Sequence, residues 1–197
     1  MLFGSAPISV SQLVAAVRSG FAFLVPGGDQ TSLVKAALEK IGIAHGYTVV
    51  AGPSGRHPGH PEWLLDLVWW ERGRGAVLAV ECRWGDAGEI LRGFETLMAT
   101  KAPLKLMVCR SRRPGAEKQD ILFRTDTEAI LQALGTALID FSQHVAGETY
   151  VLMEHAEEES AFHAYEFHVP SDGKLTTKFK DASSLFRPFA AEGLSAA

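Results

Sequence analysis

The sequence predicts an α/β protein in which helices cover the faces of a mixed β-sheet. Short apolar runs of strand length alternate with amphipathic segments of helical period, an order typical of helices packed on a sheet. Two of the runs are joined by a short glycine-bearing turn, which indicates an antiparallel hairpin. Other runs are separated by a helix, which favours a parallel crossover. The 197 residues suffice for one domain with a sizeable core.

Hydrophobic periodicity then predicts the elements in order along the chain. Apolar side chains three or four residues apart indicate helices, and short apolar runs bounded by glycine, proline or polar clusters indicate strands. Asp29 or Thr31 is the expected N-cap of the second helix, and Asp86 that of the third. Residues 21–25 fit either a short strand or a buried loop. The predicted helices are 10–18, 29–41, 86–100 and 127–141, and the predicted strands are 47–51, 63–71, 75–83, 104–109, 150–155 and 162–169.

These elements form one predicted domain over residues 1–197. Its core, residues 29–110, has the order helix–strand–strand–strand–helix–strand. An extension over residues 120–170 adds a helix and two strands. Residues 171–197 have weak periodicity, and we expect this tail to be partly mobile.

Composition and charge narrow the classes of function. The net charge of −4 gives no global attraction to nucleic acid, so such a contact would need a local basic patch. Cys82 and Cys109 lie in apolar runs, which favours buried thiols in a reducing compartment over a disulfide. The sequence has neither the basic start of a signal peptide nor the roughly 20 apolar residues of a membrane span. We therefore expect a cytoplasmic protein without a membrane partner.

Two acidic residues interrupt the apolar strands of the predicted hairpin. A turn centred between Gly73 and Arg74 places Asp66 opposite Glu81. Cross-strand partners on one face have Cβ atoms about 5 Å apart. Two carboxylates this close in apolar surroundings repel each other and lose hydration. We therefore expect a cation between them.

A divalent metal and an arginine are the candidate cations. Carboxylate oxygens bind Mg²⁺ or Mn²⁺, and such a metal assists phosphodiester hydrolysis. Arg83 lies on the same strand face as Glu81 and can neutralise it instead. Asp66 would then accept hydrogen bonds from turn amides, Arg72 or Arg74. Spacing alone leaves both alternatives open.

The pattern of Asp66, then Glu81-Cys82-Arg83, resembles the PD-(D/E)xK nuclease superfamily. The resemblance covers residues 29–110 and includes the order of elements. Within the superfamily the chain looks most like small prokaryotic restriction-endonuclease-like proteins, in which a helix after the third strand ends near a Lys-Ala-Pro-Leu-Lys segment, here residues 101–105.

This resemblance implies a restriction-endonuclease-like core and a set of site residues. Asp66 and Glu81 would be ligands of Mg²⁺ or Mn²⁺. Glu39 matches the additional acidic residue that many members use to orient a metal or its water. A solvated helix carboxylate beside Lys35 and Lys40 is the alternative interpretation of Glu39.

Arg83 stands where the superfamily places its lysine. Arginine keeps the positive charge and can bind phosphate through two hydrogen bonds. It does not release a proton near neutral pH, so a role that needs a neutral amine is closed to it. Lys101 and Lys105 are the candidates to replace the missing lysine.

Three hypotheses of function follow. The first is a metal-dependent nuclease-like protein that hydrolyses phosphodiester bonds of DNA or RNA, with Arg83 stabilising charge in the transition state. The second is a catalytically degenerate member of the same fold that binds nucleic acid or protein. The third is a structural protein that pairs with a second copy through the strand at 162–169. Weaker candidates for nucleic-acid or metal contacts are His57, His60, Trp84, Arg110, Arg112 and Arg113.

Overall fold

A computed structural model describes residues 8–21, 29–52, 65–111, 126–156, 161–173, 175 and 179–189. The described helices are α1 (Val10–Phe21), α2 (Gln30–Ala44), α3 (Ala87–Ala99), α4 (Thr127–Asp140) and a 3₁₀ helix at Phe179–Leu185. The described strands are β1 (Thr48–Ala51), β2 (Leu67–Glu71), β3 (Gly75–Arg83), β4 (Leu104–Ser111), β5 (Thr149–Ala156), β6 (Ala161–His168) and β7 (Arg187–Pro188).

The strands form one seven-stranded mixed sheet in chain order from β1 to β7. The pairs β1–β2 and β2–β3 are antiparallel, as are β5–β6 and β6–β7. The pairs β3–β4 and β4–β5 are parallel, and the helices α3 and α4 make the two crossovers. The α/β class with helices on a mixed sheet is therefore confirmed.

Helices cover both faces of the sheet. On the sheet face covered by α1 and α2, Val14 and Leu38 of the helices are buried against Leu78 and Val80 of β3. The apolar clusters on the two faces separate because successive strand side chains point to opposite sides. The α3 and α4 face buries Ile90, Phe94 and Leu134 against Ala79, Met107 and Leu152.

The hairpin of β2 and β3 has the predicted register in the part that lies away from the turn. Leu67 pairs with Val80, and the next two pairs continue that register. A bulge between Trp69 and Trp70 then shifts the pairing by one residue near the turn. Gly73 and Gly75 have φ angles of 83° and 91°, in the left-handed region where glycine avoids the steric cost of a Cβ. The predicted register therefore holds for residues 67–69 and not for the two pairs next to the turn.

The C-terminal segment adds structure that hydrophobic periodicity did not predict. The 3₁₀ helix at Phe179–Leu185 packs on α4, where Ala182 is buried, and Gln132 accepts a hydrogen bond from the Ser183 N–H. The two-residue strand β7 pairs with Tyr165 and Glu166 of β6. Among the described residues, no helix has the length and apolar character to cross a membrane.

Candidate functional site

Asp66 and Glu81 converge on the guanidinium of Arg83. Arg83 Nη1 lies 3.1 Å from Asp66 Oδ2, and Arg83 Nη2 forms an ion pair with Glu81 Oε2. The same Nη1 donates a hydrogen bond of 2.8 Å to the Cys82 carbonyl. One cation therefore lies between the two carboxylates, in the position the sequence assigned to a metal or to Arg83.

Asp66 lies just before β2, and the β2–β3 register begins with Leu67 opposite Val80, so the predicted cross-strand pair of Asp66 and Glu81 is not part of it. The Asp66 backbone N–H donates to the Val80 carbonyl at 3.1 Å, which keeps Asp66 beside β3. Its carboxylate accepts a 2.8 Å hydrogen bond from the Cys82 backbone N–H. These contacts place the Asp66 side chain beside the end of β3, where Arg83 and Glu81 also lie. The turn residues Arg72 and Arg74 do not fill this role, and Arg74 instead pairs with Glu71 at 3.0 Å.

Glu81 is fully buried, and its carboxylate has little compensation from hydrogen bonds. Among the residues that the structure describes, neither of its carboxylate oxygens receives a hydrogen bond of good geometry, although Oε2 contacts Arg83. Burial raises the pKa of Glu81 to about 8, and the charge of Arg83 opposes this rise. Glu81 therefore binds a proton more readily than an exposed glutamate does.

Lys35 is a member of the cluster that the sequence analysis missed. Its ammonium group lies 3.5 Å from Asp66 Oδ1, and the side chain is 10% exposed. Lys35 shares the buried face of α2 with Leu38 and Gly42. The sequence did hold an indication of this contact. Lys35 falls on the apolar face of the predicted helix, and a buried ammonium group requires a partner.

Glu39 lies one helical turn beyond Lys35 and is exposed. Within the described part of the chain its carboxylate makes no hydrogen bond or ion pair, and it does not pair with the cations at Asp66 and Glu81. Its proposed role as an additional acidic residue stays a prediction.

Lys105 pairs with residues other than Asp66 and Glu81. The Lys105 side chain is fully buried. Its ammonium group pairs with Glu148 at 2.9 Å and donates a hydrogen bond to the Tyr150 hydroxyl at 3.0 Å. In the parallel β3–β4 pair, Lys105 lies opposite Ala79, two residues before Glu81. Lys101 is exposed at the start of the loop before β4. Of the two candidates to replace the lysine, Lys105 is thus occupied by Glu148 and Tyr150.

The remaining candidates divide into packed residues and residues outside the described ranges. Trp84 donates a 2.8 Å hydrogen bond from its ring N–H to Thr31 and packs against Phe21, with ring centroids 5.8 Å apart. Arg110 donates to the Trp84 carbonyl. Trp84 is thus part of the packing between α1, α2 and the sheet. His57, His60, Arg112 and Arg113 lie outside the residues that the structure describes.

The donor set of the cluster suits a hard divalent cation. Asp66 and Glu81 offer carboxylate oxygens, the ligands that Mg²⁺ and Mn²⁺ prefer, and Glu81 Oε1 has no hydrogen-bond partner in the described chain. Arg83 contacts the same two carboxylates, so a metal and this guanidinium would compete for them. The residues described here include no cluster of three or more His, Cys, Asp or Glu side chains arranged to hold a metal.

Comparison with known proteins gives no relative. No family model, curated protein or solved structure matches this chain.

Proposed function

We propose that this protein is a metal-dependent nuclease-like enzyme that hydrolyses phosphodiester bonds of DNA or RNA. The proposal includes a restriction-endonuclease-like core made of α2, β1, β2, β3, α3 and β4. The observation that carries it is the convergence of Asp66 and Glu81 on one cation-binding position at the end of β3. The resemblance to the PD-(D/E)xK superfamily in residue order and element order supports the same assignment.

In the proposed site, Asp66 and Glu81 would hold Mg²⁺ or Mn²⁺. When bound, such an ion polarises a phosphate and lowers the pKa of a coordinated water. Lys35 and the Cys82 N–H hold the Asp66 carboxylate in place. Arg83 would move its guanidinium from the carboxylates to phosphate oxygens, where it stabilises negative charge without taking or giving a proton.

A cleavage assay tests the proposal. Plasmid and single-stranded DNA and RNA are incubated with the protein and Mg²⁺ or Mn²⁺. Asp66→Asn and Glu81→Gln are expected to lower the cleavage rate at least about a hundredfold, because each removes a charged metal ligand. Glu71→Gln is the matched control, since Glu71 is on the same hairpin but pairs only with the exposed Arg74 in the described contacts. Cleavage that is equal in all four proteins would exclude these roles.

One observation favours a second candidate, a catalytically degenerate member of the fold that binds nucleic acid or protein. The Arg83 guanidinium already contacts both carboxylates, and Lys35 pairs with Asp66, so the two acids have cationic partners without a metal. This candidate predicts nucleic-acid or protein binding that does not need Mg²⁺ and survives Asp66→Asn. Metal-dependent cleavage that is lost in Asp66→Asn would exclude it.

A further inference from the structure

The packing of α3 against Arg83 points to a role for a glycine. Gly93 is buried in the interior of α3. A Cβ built on Gly93 would lie 2.9 Å from Arg83 Cγ and 3.0 Å from Arg83 Nε. Both distances are shorter than ordinary van der Waals contact, so any side chain at this position would displace Arg83.

Glycine is energetically unfavourable in the interior of a helix. An interior glycine loses more backbone freedom on folding than alanine, so it lowers helix stability. Gly93 has helical backbone and is not among the described glycines with positive φ, so its conformation does not require glycine. Space for the Arg83 side chain is the physical reason that remains.

The contacts of Arg83 show what this space allows. The stem of Arg83 passes over Gly93, while its guanidinium reaches Asp66, Glu81 and the Cys82 carbonyl. Met107 Cε also lies 3.4 Å from the built Cβ, so Arg83 and Met107 both border the space at position 93. The absence of a side chain at Gly93 therefore leaves room for the stem of Arg83.

We infer that Gly93 is a positioning residue: the space it leaves allows the Arg83 stem to place its guanidinium between Asp66 and Glu81 in the protein without metal or nucleic acid. Its consequence for catalysis rests on the proposed function, but the positioning itself does not. Gly93 touches neither carboxylate in this arrangement and acts through Arg83 alone.

Nuclear magnetic resonance of the arginine side chains tests this inference in the protein without metal or nucleic acid. A guanidinium that contacts two carboxylates and a carbonyl rotates slowly, so its Nη groups give separate signals. The Arg83 signals are assigned by their absence in Arg83→Lys. We expect Gly93→Ala to merge the separate Arg83 signals and to lower the melting temperature by several degrees.

Gly88→Ala is the matched control in the same helix. A Cβ at Gly88 meets only the ends of the exposed Asp86 and Arg92 side chains, at 3.3 and 3.5 Å. This variant should keep the separate Arg83 signals. Separate Arg83 signals in Gly93→Ala that match the wild-type protein would overturn the inference.

A second pair of variants decides the outcome if Gly93→Ala does not fold. Arg83→Ala removes the side chain that the new Cβ would meet, so Gly93→Ala should fold in that background. If Arg83→Ala alone folds and the double variant does not, the inference is overturned, because the conflict would then lie with another group. Loss of cleavage activity bears on the proposed function alone, since none of these measurements uses nucleic acid or metal.

Discussion

Arg83 is the residue on which the two acids of the site depend most directly. Glu81 is fully buried, and Arg83 is the cation in contact with it. Removing one partner of a buried ion pair leaves the other charge without compensation, which costs more than the pair contributes. The charge state of Glu81 should therefore control how much Arg83 matters to stability.

Replacing Arg83 tests this dependence. Arg83→Met keeps an apolar stem over Gly93 but removes the guanidinium. We expect the free energy of unfolding to fall by about 3 kcal/mol at pH 9, where Glu81 is ionised in the wild-type protein, and by less at pH 6. Urea denaturation at the two pH values measures the difference.

Arg74→Met is the control for a charge lost from the same hairpin. Arg74 and its partner Glu71 are both exposed, so its removal should cost less than about 1 kcal/mol at either pH. An Arg83→Met loss that is the same at pH 6 and pH 9 would contradict the assigned coupling to Glu81.

Glu81 itself should make stability depend on pH. Its pKa in the folded protein is raised from 4.5 to about 8, so the folded state keeps a proton that the unfolded state releases. The stabilising effect is complete below pH 4.5 and is lost as the pH rises through about 8. Relative to wild type, Glu81→Gln should gain several degrees in melting temperature between pH 5 and pH 9.

Melting curves of wild type, Glu81→Gln and Glu71→Gln over that range measure the effect. Glu71→Gln should follow the wild-type profile, because Glu71 is on the exposed turn side of the hairpin. Parallel profiles for Glu81→Gln and wild type would show that Glu81 does not carry the raised pKa.

At the scale of single elements, the hairpin was the best predicted part of the molecule. Residues 67–69 have the predicted partners, and strand side chains alternate between the two faces of the sheet. The bulge between Trp69 and Trp70 was not predicted, since it depends on how both strands pack rather than on the turn residues.

The helix α2 shows why part of the site could not be placed from the sequence. The periodicity of α2 predicts a buried face, but it does not say which strand end that face reaches. Lys35 meets Asp66 only because α2 crosses the sheet near the start of β2. Long-range placement of this kind requires the tertiary structure.

The helix α4 carries a further test at the element scale. A Cβ at Gly135 would lie 2.1 Å from the Ala182 carbonyl oxygen in the 3₁₀ helix. We expect Gly135→Ala to lower the free energy of unfolding by about 1–3 kcal/mol through overpacking, despite the better helix propensity of alanine. Urea denaturation gives the value, and Gly88→Ala is the control without such a neighbour.

An unchanged or higher stability for Gly135→Ala would mean that the 3₁₀ helix is not packed against α4 as described. The sequence did not predict this packing because the segment after residue 171 has no clear hydrophobic period. Its contacts are made with distant parts of the chain instead, such as the hydrogen bond from the Ser183 N–H to Gln132.

At the scale of the whole molecule, the mixed sheet and its β1 edge were predictable, and its β7 edge was not. The alternation of helices and strands implies parallel crossovers flanked by hairpins, and the sheet has this arrangement. The strand β7 was not predicted, because two residues are too few to show a pattern of alternating hydrophobicity.

The sheet also explains why lysines in the sequence have different roles. Lys35 reaches the acids at the end of β3, whereas Lys105 is held under α3 by Glu148, Tyr150 and the Met98 carbonyl. Burial lowers the pKa of Lys105, and the charge of Glu148 opposes that change. Lys35 lies on α2 and pairs with Asp66, whereas Lys105 lies on β4 and pairs with Glu148, so only Lys35 belongs to the proposed site.

The central claim is that Asp66 and Glu81 form one cation site that a divalent metal can enter. Calorimetric titration of Mn²⁺ into the metal-free protein at pH 8 tests it most directly. We expect a single binding event in wild type that is lost in Asp66→Asn and kept in Glu71→Gln. No binding by the wild-type protein, or equal binding by all three proteins, would contradict it.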